Sequence, residues 1–141
     1  MILIFGGAYQ GKADFAKRTF GLEDEDIFYC GEASGQKGLA QENGELPSLS
    51  PQAEGARAIH GLEKAFLDLV RTGTEPKDFL AAHREQMKDK ILMINDISQG
   101  IVPVDPVLRA WREDVGRAML WLASESDQVY RVFCGMEQRL K

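Results

Sequence analysis

The sequence predicts an α/β fold: a three-layer domain with a mostly parallel sheet and crossover helices. Three observations carry this. Short apolar runs of strand length recur at Met1–Phe5, Ile27–Cys30, Ile91–Ile94 and Gln128–Gly135. Between them lie stretches with apolar residues at three- and four-residue spacing, as helices crossing between parallel strands require. The first run passes through a glycine-rich turn directly into a helical stretch.

That opening stretch is the most informative part of the chain. Met1–Phe5 is followed by Gly6-Gly7-Ala8-Tyr9-Gln10-Gly11-Lys12 and then by Ala13–Thr19, which reads as helix. Strand, glycine loop and helix in this order give the setting of a phosphate loop, G-x-x-x-x-G-K-[ST]. Glycines let backbone N–H groups converge without a Cβ in the way, and the helix adds its positive end. Gly6, Gly7, Ala8, Tyr9, Gln10, Gly11, Lys12 and Ala13 are therefore the candidate nucleotide-binding residues, with Lys12 as the charge for the outer phosphates. Ala13 stands where a hydroxyl would ligate Mg²⁺, so the pattern fits phosphate better than metal. The alternative is an ordinary glycine turn between strand and helix.

Gly21 stops the first helix, and Leu22–Asp26 is an acidic connection. Ile27–Cys30 is the second, buried strand. Gly31–Gly55 lacks periodicity and reads as a long loop, either a lid or binding segment or disordered. Ala56–Thr72 reads as an amphipathic helix ended by Gly73, with His60 on its surface. Thr74 is the expected cap of a further helix running to about Lys88, with Pro76 in its first turn and His83 at the edge of its apolar stripe.

Ile91–Ile94 is the third strand, closed by Asn95-Asp96. Ligands gather at the carboxyl ends of parallel strands, which makes Asp96 a candidate catalytic residue beside Lys12, positioning a metal-bound water. Equally, Asn95 and Asp96 could simply turn the chain. Ser98–Pro103 is a turn with apolar anchors. Asp105 caps the last long helix and Pro106 starts it, with Val107, Leu108, Trp111, Val115, Ala118, Met119 and Leu122 as its buried face. Gln128–Gly135 is the final strand and Met136–Lys141 a tail.

One domain over residues 1–141 is expected. A net charge of −5 and a pI near 5.1 disfavour nucleic-acid coating. No run approaches the roughly 20 apolar residues of a membrane span, and the start does not resemble a signal peptide, so a cytoplasmic protein is expected. Cys30 and Cys134 read as buried, reduced thiols, and no metal-ligand spacing is present.

These residues resemble the bifunctional adenosylcobinamide kinase/adenosylcobinamide-phosphate guanylyltransferase family of cobalamin biosynthesis. The resemblance rests on Ile2-Leu3-Ile4, Gly6-Gly7-Ala8 and Gly11-Lys12. It rests more specifically on Asn95-Asp96 with Gly100-Ile101-Val102-Pro103, continuing through Arg112, Gly116-Arg117, Leu122-Ala123, Asp127, Val129 and Gly135. It implies a P-loop fold, ATP or GTP as nucleotide with Mg²⁺ as its usual companion, a corrinoid substrate and a homo-oligomer. The chain departs from the family in length: a strand with an acidic end, between the second helix and Ile91, is expected to be missing. The family's guanylyl-accepting His has no counterpart in Gly31–Gly55, and a polar Asn-Gln pair of the last helix is Met119-Leu120. A nucleotide-dependent kinase is one expectation, without guanylyl transfer. A catalytically degenerate nucleotide sensor or partner subunit is the other.

Overall fold

In the computed structural model, which describes residues 1–31, 39–41 and 48–141, six strands form one sheet in the order β2-β5-β6-β1-β7-β8. β1 (Ile2–Gly6) lies at its centre, parallel to β6 (Ile91–Asn95) on one side and to β7 (Gln128–Phe133) on the other. β5 (Ala58–His60) joins β6 to β2 (Ile27–Tyr29), again in parallel. Only β8 (Met136–Arg139) runs antiparallel, against β7. The expected α/β architecture is thus the one observed.

Alternation along β1 explains the three layers. Leu3 packs with α3 (Leu62–Arg71), α4 (Pro76–Ala82) and α6 (Pro106–Glu125) on one face. Its neighbour Ile4 packs with Phe15 and Ala16 of α1 (Lys12–Phe20) on the other. Phe66, Phe79 and Leu80 are fully buried in the first layer, each worth about 1.5–3 kcal/mol of apolar burial. Asp105 caps α6 as expected, its Oδ1 accepting from the N–H of Val107 at 2.7 Å and of Leu108 at 3.2 Å.

Several expectations are corrected. Ala56–Thr72 is not one helix: residues 58–60 form β5, Gly61 turns with φ +81°, and only then does α3 begin. The three-residue strand is paired on both sides, so tertiary pairing outweighs its apparent helical spacing. Between Thr72 and Ile91 the chain forms helices and no strand, and β5, which precedes that stretch, ends on His60. Part of Gly31–Gly55 is structured. β3 (Ala40–Gln41) pairs with β4 (Ser48–Leu49), and Ser50 caps α2 (Pro51–Gly55); the remainder of the expected loop lies outside the described residues.

The helix after Gly73 starts from Glu75, not Thr74, and breaks at His83 into α4 and α5 (Arg84–Met87). The His83 Nδ1 lies 2.8 Å from the Phe79 carbonyl, and its ring packs on that of Phe79. Val107 is exposed rather than part of the buried face of α6. Ile101 and Val102 are exposed as well and anchor nothing. The guanidinium of Arg112 instead holds their loop, donating to the carbonyls of Ser98, Gly100 and Ile101. The tail is a strand, reached through a two-residue turn with Cys134 at φ +50° and Gly135 at φ +74°, which leaves Cys134 exposed rather than buried. Among the described residues no helix is long and apolar enough to cross a membrane.

Candidate functional site

The glycine loop forms one wall of a cleft of about 550 Å³ at the carboxyl ends of β1, β2, β5 and β6. Such a crevice is where open parallel sheets bind ligands. Ala8, Tyr9, Gln10, Gly11, Lys12 and Ala13 line it from the loop, and His60, Lys64 and Asn95 face them. Gly6 and Gly7 lie at the base of the loop.

Close approach shapes the loop. A Cβ on Gly6 would stand 2.2 Å from the carbonyl oxygen of Val132, so only glycine lets β1 leave the sheet beside β7. Gln10 fastens the loop to the β7–β8 turn: its Oε1 accepts from the N–H of Cys134 at 2.6 Å, and its carbonyl from that of Gly135 at 3.0 Å. Tyr9, at the tip, is fully exposed with φ +58°.

Gly11 stands before α1 with φ +88°, and no side chain caps the helix. The first helical bond runs from the N–H of Phe15 to the carbonyl of Gly11. The N–H groups of Lys12, Ala13 and Asp14 are therefore left without intrahelical partners at the mouth of the cleft, a ready anion site. The Lys12 side chain folds back over the loop and is 3% exposed. Its ammonium donates to the carbonyl of Gly7 at 2.6 Å and of Gly6 at 3.3 Å. Burial lowers its pKa, and the nearby Glu63 carboxylate works in the opposite direction.

Sequence reading missed the facing wall and the carboxylate buried behind it. Glu63 is a carboxylate buried to 3% exposure at the start of α3. It accepts from the backbone N–H of Asn95 at 2.9 Å and from its Nδ2 at 2.6 Å, tying α3 to the end of β6. The indole N–H of Trp111 donates to the Glu63 carbonyl at 2.6 Å. His60 ends β5 with its ring 5.3 Å from that of Tyr29. Burial, and then the charges of Lys12 and Lys64, lower its pKa to about 4, so it is neutral near pH 7. Cys30 is pushed up to about 12 by burial and stays a thiol. The one sequence signal for this wall was Gly61, out of place inside a supposed helix.

Asp96 lies elsewhere. Its backbone N–H donates to the Gly6 carbonyl at 2.9 Å, but its carboxylate accepts from the N–H of Ser98 at 2.9 Å and from the Ser98 hydroxyl. It closes the turn after β6 and faces a second, apolar cleft of about 490 Å³. That cleft is walled by Leu3, Phe5, Met119, Leu120 and Val129. The structure thus places Lys12 and Asp96 on different clefts, and Met119-Leu120 beside Asp96.

The donor set of the glycine-loop cleft suits phosphate better than Mg²⁺. Ala13 brings no hydroxyl, β5 ends on an imidazole, both oxygens of Glu63 are taken by Asn95, and Asp14 is, among the described residues, the one carboxylate lining the cleft. Among the described residues no group of three His, Cys, Asp or Glu could hold a metal ion.

A search of curated proteins gave no match. The sequence profile of the cobinamide kinase/cobinamide phosphate guanyltransferase family matches residues 59–140, more than half of the chain. That stretch runs from β5 through β8, and the glycine loop precedes it. With the parallel sheet and the matched segment in agreement, the chain belongs to the cobinamide kinase/cobinamide phosphate guanyltransferase family.

Proposed function

We propose that the chain binds the phosphates of ATP or GTP at Gly6–Lys12 and acts as a nucleotide-binding sensor or partner subunit for corrinoid chemistry. The observation that carries this is the buried Lys12 ammonium folded onto the Gly6 and Gly7 carbonyls at the floor of an open cleft. In this reading the free amides at the start of α1 receive the phosphate oxygens, and Lys12 neutralises their charge. Gln10 keeps the loop in register with the β7–β8 turn. Glu63 supplies a fixed counter-charge behind Lys12 while its carboxylate holds Asn95.

Family membership favours a second reading, nucleotide-dependent phosphorylation of a corrinoid amino-alcohol side chain. Lys12 would then stabilise charge on the transferred group. Asp96 would have to act from the neighbouring cleft, and no hydroxyl follows Lys12 to bring in metal. Guanylyl transfer is not part of the proposal, since residues 31–55 contain no histidine. Self-association is part of it: Ile101, Val102 and Val104 offer an exposed apolar strip, and sedimentation velocity would report the assembly.

The test is titration of ATP and GTP, followed by incubation with adenosylcobinamide. Saturable binding without phosphorylated corrinoid supports the sensor, and turnover supports the kinase. Absence of binding removes both.

A further inference from the structure

We infer that His60 and Lys64, on the wall facing the glycine loop, are phosphate-binding residues, and that this site takes a nucleoside di- or triphosphate without a divalent cation. The inference rests on the proposed reading of the Gly6–Lys12 loop and adds the ligand set that completes it.

A polyphosphate brings several negative charges into the cleft, and phosphate loops ordinarily share them between lysine and a magnesium ion. Here Ala13 brings no hydroxyl to the metal, both oxygens of Glu63 are taken by Asn95, and Asp14 is left, among the described residues, as the one carboxylate lining the cleft, a poorer hold on magnesium than a phosphate loop ordinarily offers. Lys12 cannot carry the whole load, because its ammonium is already engaged with two carbonyls and lies near the Glu63 carboxylate. A second cation is in place. Lys64 lines the same cleft and makes no ion pair among the described residues, whereas Arg57, Arg71, Arg84, Lys88 and Arg117 all do.

Its position is built rather than incidental. The Lys64 stem lies across two glycines of positive φ: a Cβ on Gly31 would meet its Cδ at 3.0 Å, and one on Gly61 would meet it at 3.8 Å. Those two turns leave room for a side chain to cross the backbone and deliver its ammonium to the cleft.

His60 completes the wall. The charged and titratable groups around it are Lys12 and Asp14 of α1, Tyr29 and Cys30 at the end of β2, and Glu63 and Lys64 of α3. Burial, and then the two ammonium groups, keep the ring neutral in the free protein. A bound phosphate offsets both ammonium charges, and its own negative charge and acceptor oxygens work against the cost of burial, so the ring can take up a proton and donate to a phosphate oxygen. Anion binding at this site is therefore coupled to proton uptake and tightens as the pH falls below 7.

The experiment is calorimetric titration of ATP and GTP into the intact chain at pH 6.5, in EDTA and again in MgCl₂. It uses two buffers of different ionisation enthalpy, with Lys12→Ala, Lys64→Gln, Lys64→Arg and His60→Asn beside the wild type. The inference expects similar wild-type affinity with and without magnesium. It expects about a tenfold loss in Lys64→Gln, the scale of one charge-assisted contact, and retention in Lys64→Arg. It also expects proton uptake that disappears in His60→Asn, with melting curves confirming that each variant folds.

Binding that requires magnesium overturns the inference and leaves the loop reading intact. So does a result in which only Lys12→Ala weakens binding. Failure of the wild type to bind, or full binding by Lys12→Ala, removes the loop reading and this inference with it.

Discussion

The sharpest stability prediction concerns the imidazole between two ammonium groups. The folded His60 ring takes its proton only near pH 4, against an ordinary value of 6.5. Between those values the unfolded chain binds a proton that the folded chain does not, so stability falls as the pH drops from about 6.5 towards 4. The contribution is present above the unfolded value and is lost below the folded one. A gap of about 2.5 pH units corresponds to about 3 kcal/mol, and partial solvent access to the ring reduces this to about 2 kcal/mol. Replacing His60 by Asn removes the titration while keeping a polar group of similar reach. Urea unfolding of both proteins at intervals from pH 7 to 4 isolates the effect, because the carboxylates common to both cancel. The stability of the wild type should fall by about 2 kcal/mol more than that of His60→Asn across this range. Parallel profiles would mean that His60 is not held neutral by burial and by Lys12 and Lys64, and the electrostatic picture of the cleft would fail.

Three further substitutions probe the frame of the site. Gly6→Ala places a methyl against the Val132 carbonyl and should cost about 1–3 kcal/mol in urea unfolding, together with nucleotide affinity. Glu63→Gln leaves one of the two Asn95 donors facing an amide N–H₂ and should lose about 1–3 kcal/mol. Calorimetric melting measures that loss. Asp105→Ala removes the cap of α6 and should cost about 1 kcal/mol without changing nucleotide affinity, a pairing that separates general stability from the cleft.

The features legible in the sequence are those fixed by local chemistry. The β1–loop–α1 unit is legible because Gly6, Gly11 and Lys12 serve the backbone at fixed offsets, and the start of α6 because Asp105-Pro106 is a cap followed by a first-turn proline. β6 is legible as an apolar run buried on both faces. The features that escaped are made by distant partners. β5 has only two apolar residues, and its strand character comes from pairing with β2 on one side and β6 on the other. Ile59 and Leu62 happen to fall at helical spacing although Gly61 turns the chain between them. β8 follows an uncommon Cys-Gly turn and shows no alternation, because it lies exposed at the sheet edge.

The facing wall of the cleft was hidden for the same reason. A glutamate in a helix is ordinarily a surface residue, and only the folded chain brings Asn95, thirty-two positions away, to both oxygens of Glu63. His60 became part of the cleft when its segment became a strand. Asp96 follows the end of β6, as expected, but its side chain turns back to Ser98 beside the apolar cleft, a preference of Asx residues that sequence alone leaves open.

The central claim is that the loop amides and the Lys12 ammonium form the floor of a phosphate site. Direct titration of ATP and GTP into the wild type and Lys12→Ala measures it most directly. The account predicts saturable binding to the wild type and at least about a tenfold loss in a folded Lys12→Ala protein. Equal affinity in the two proteins, or none in either, would contradict it.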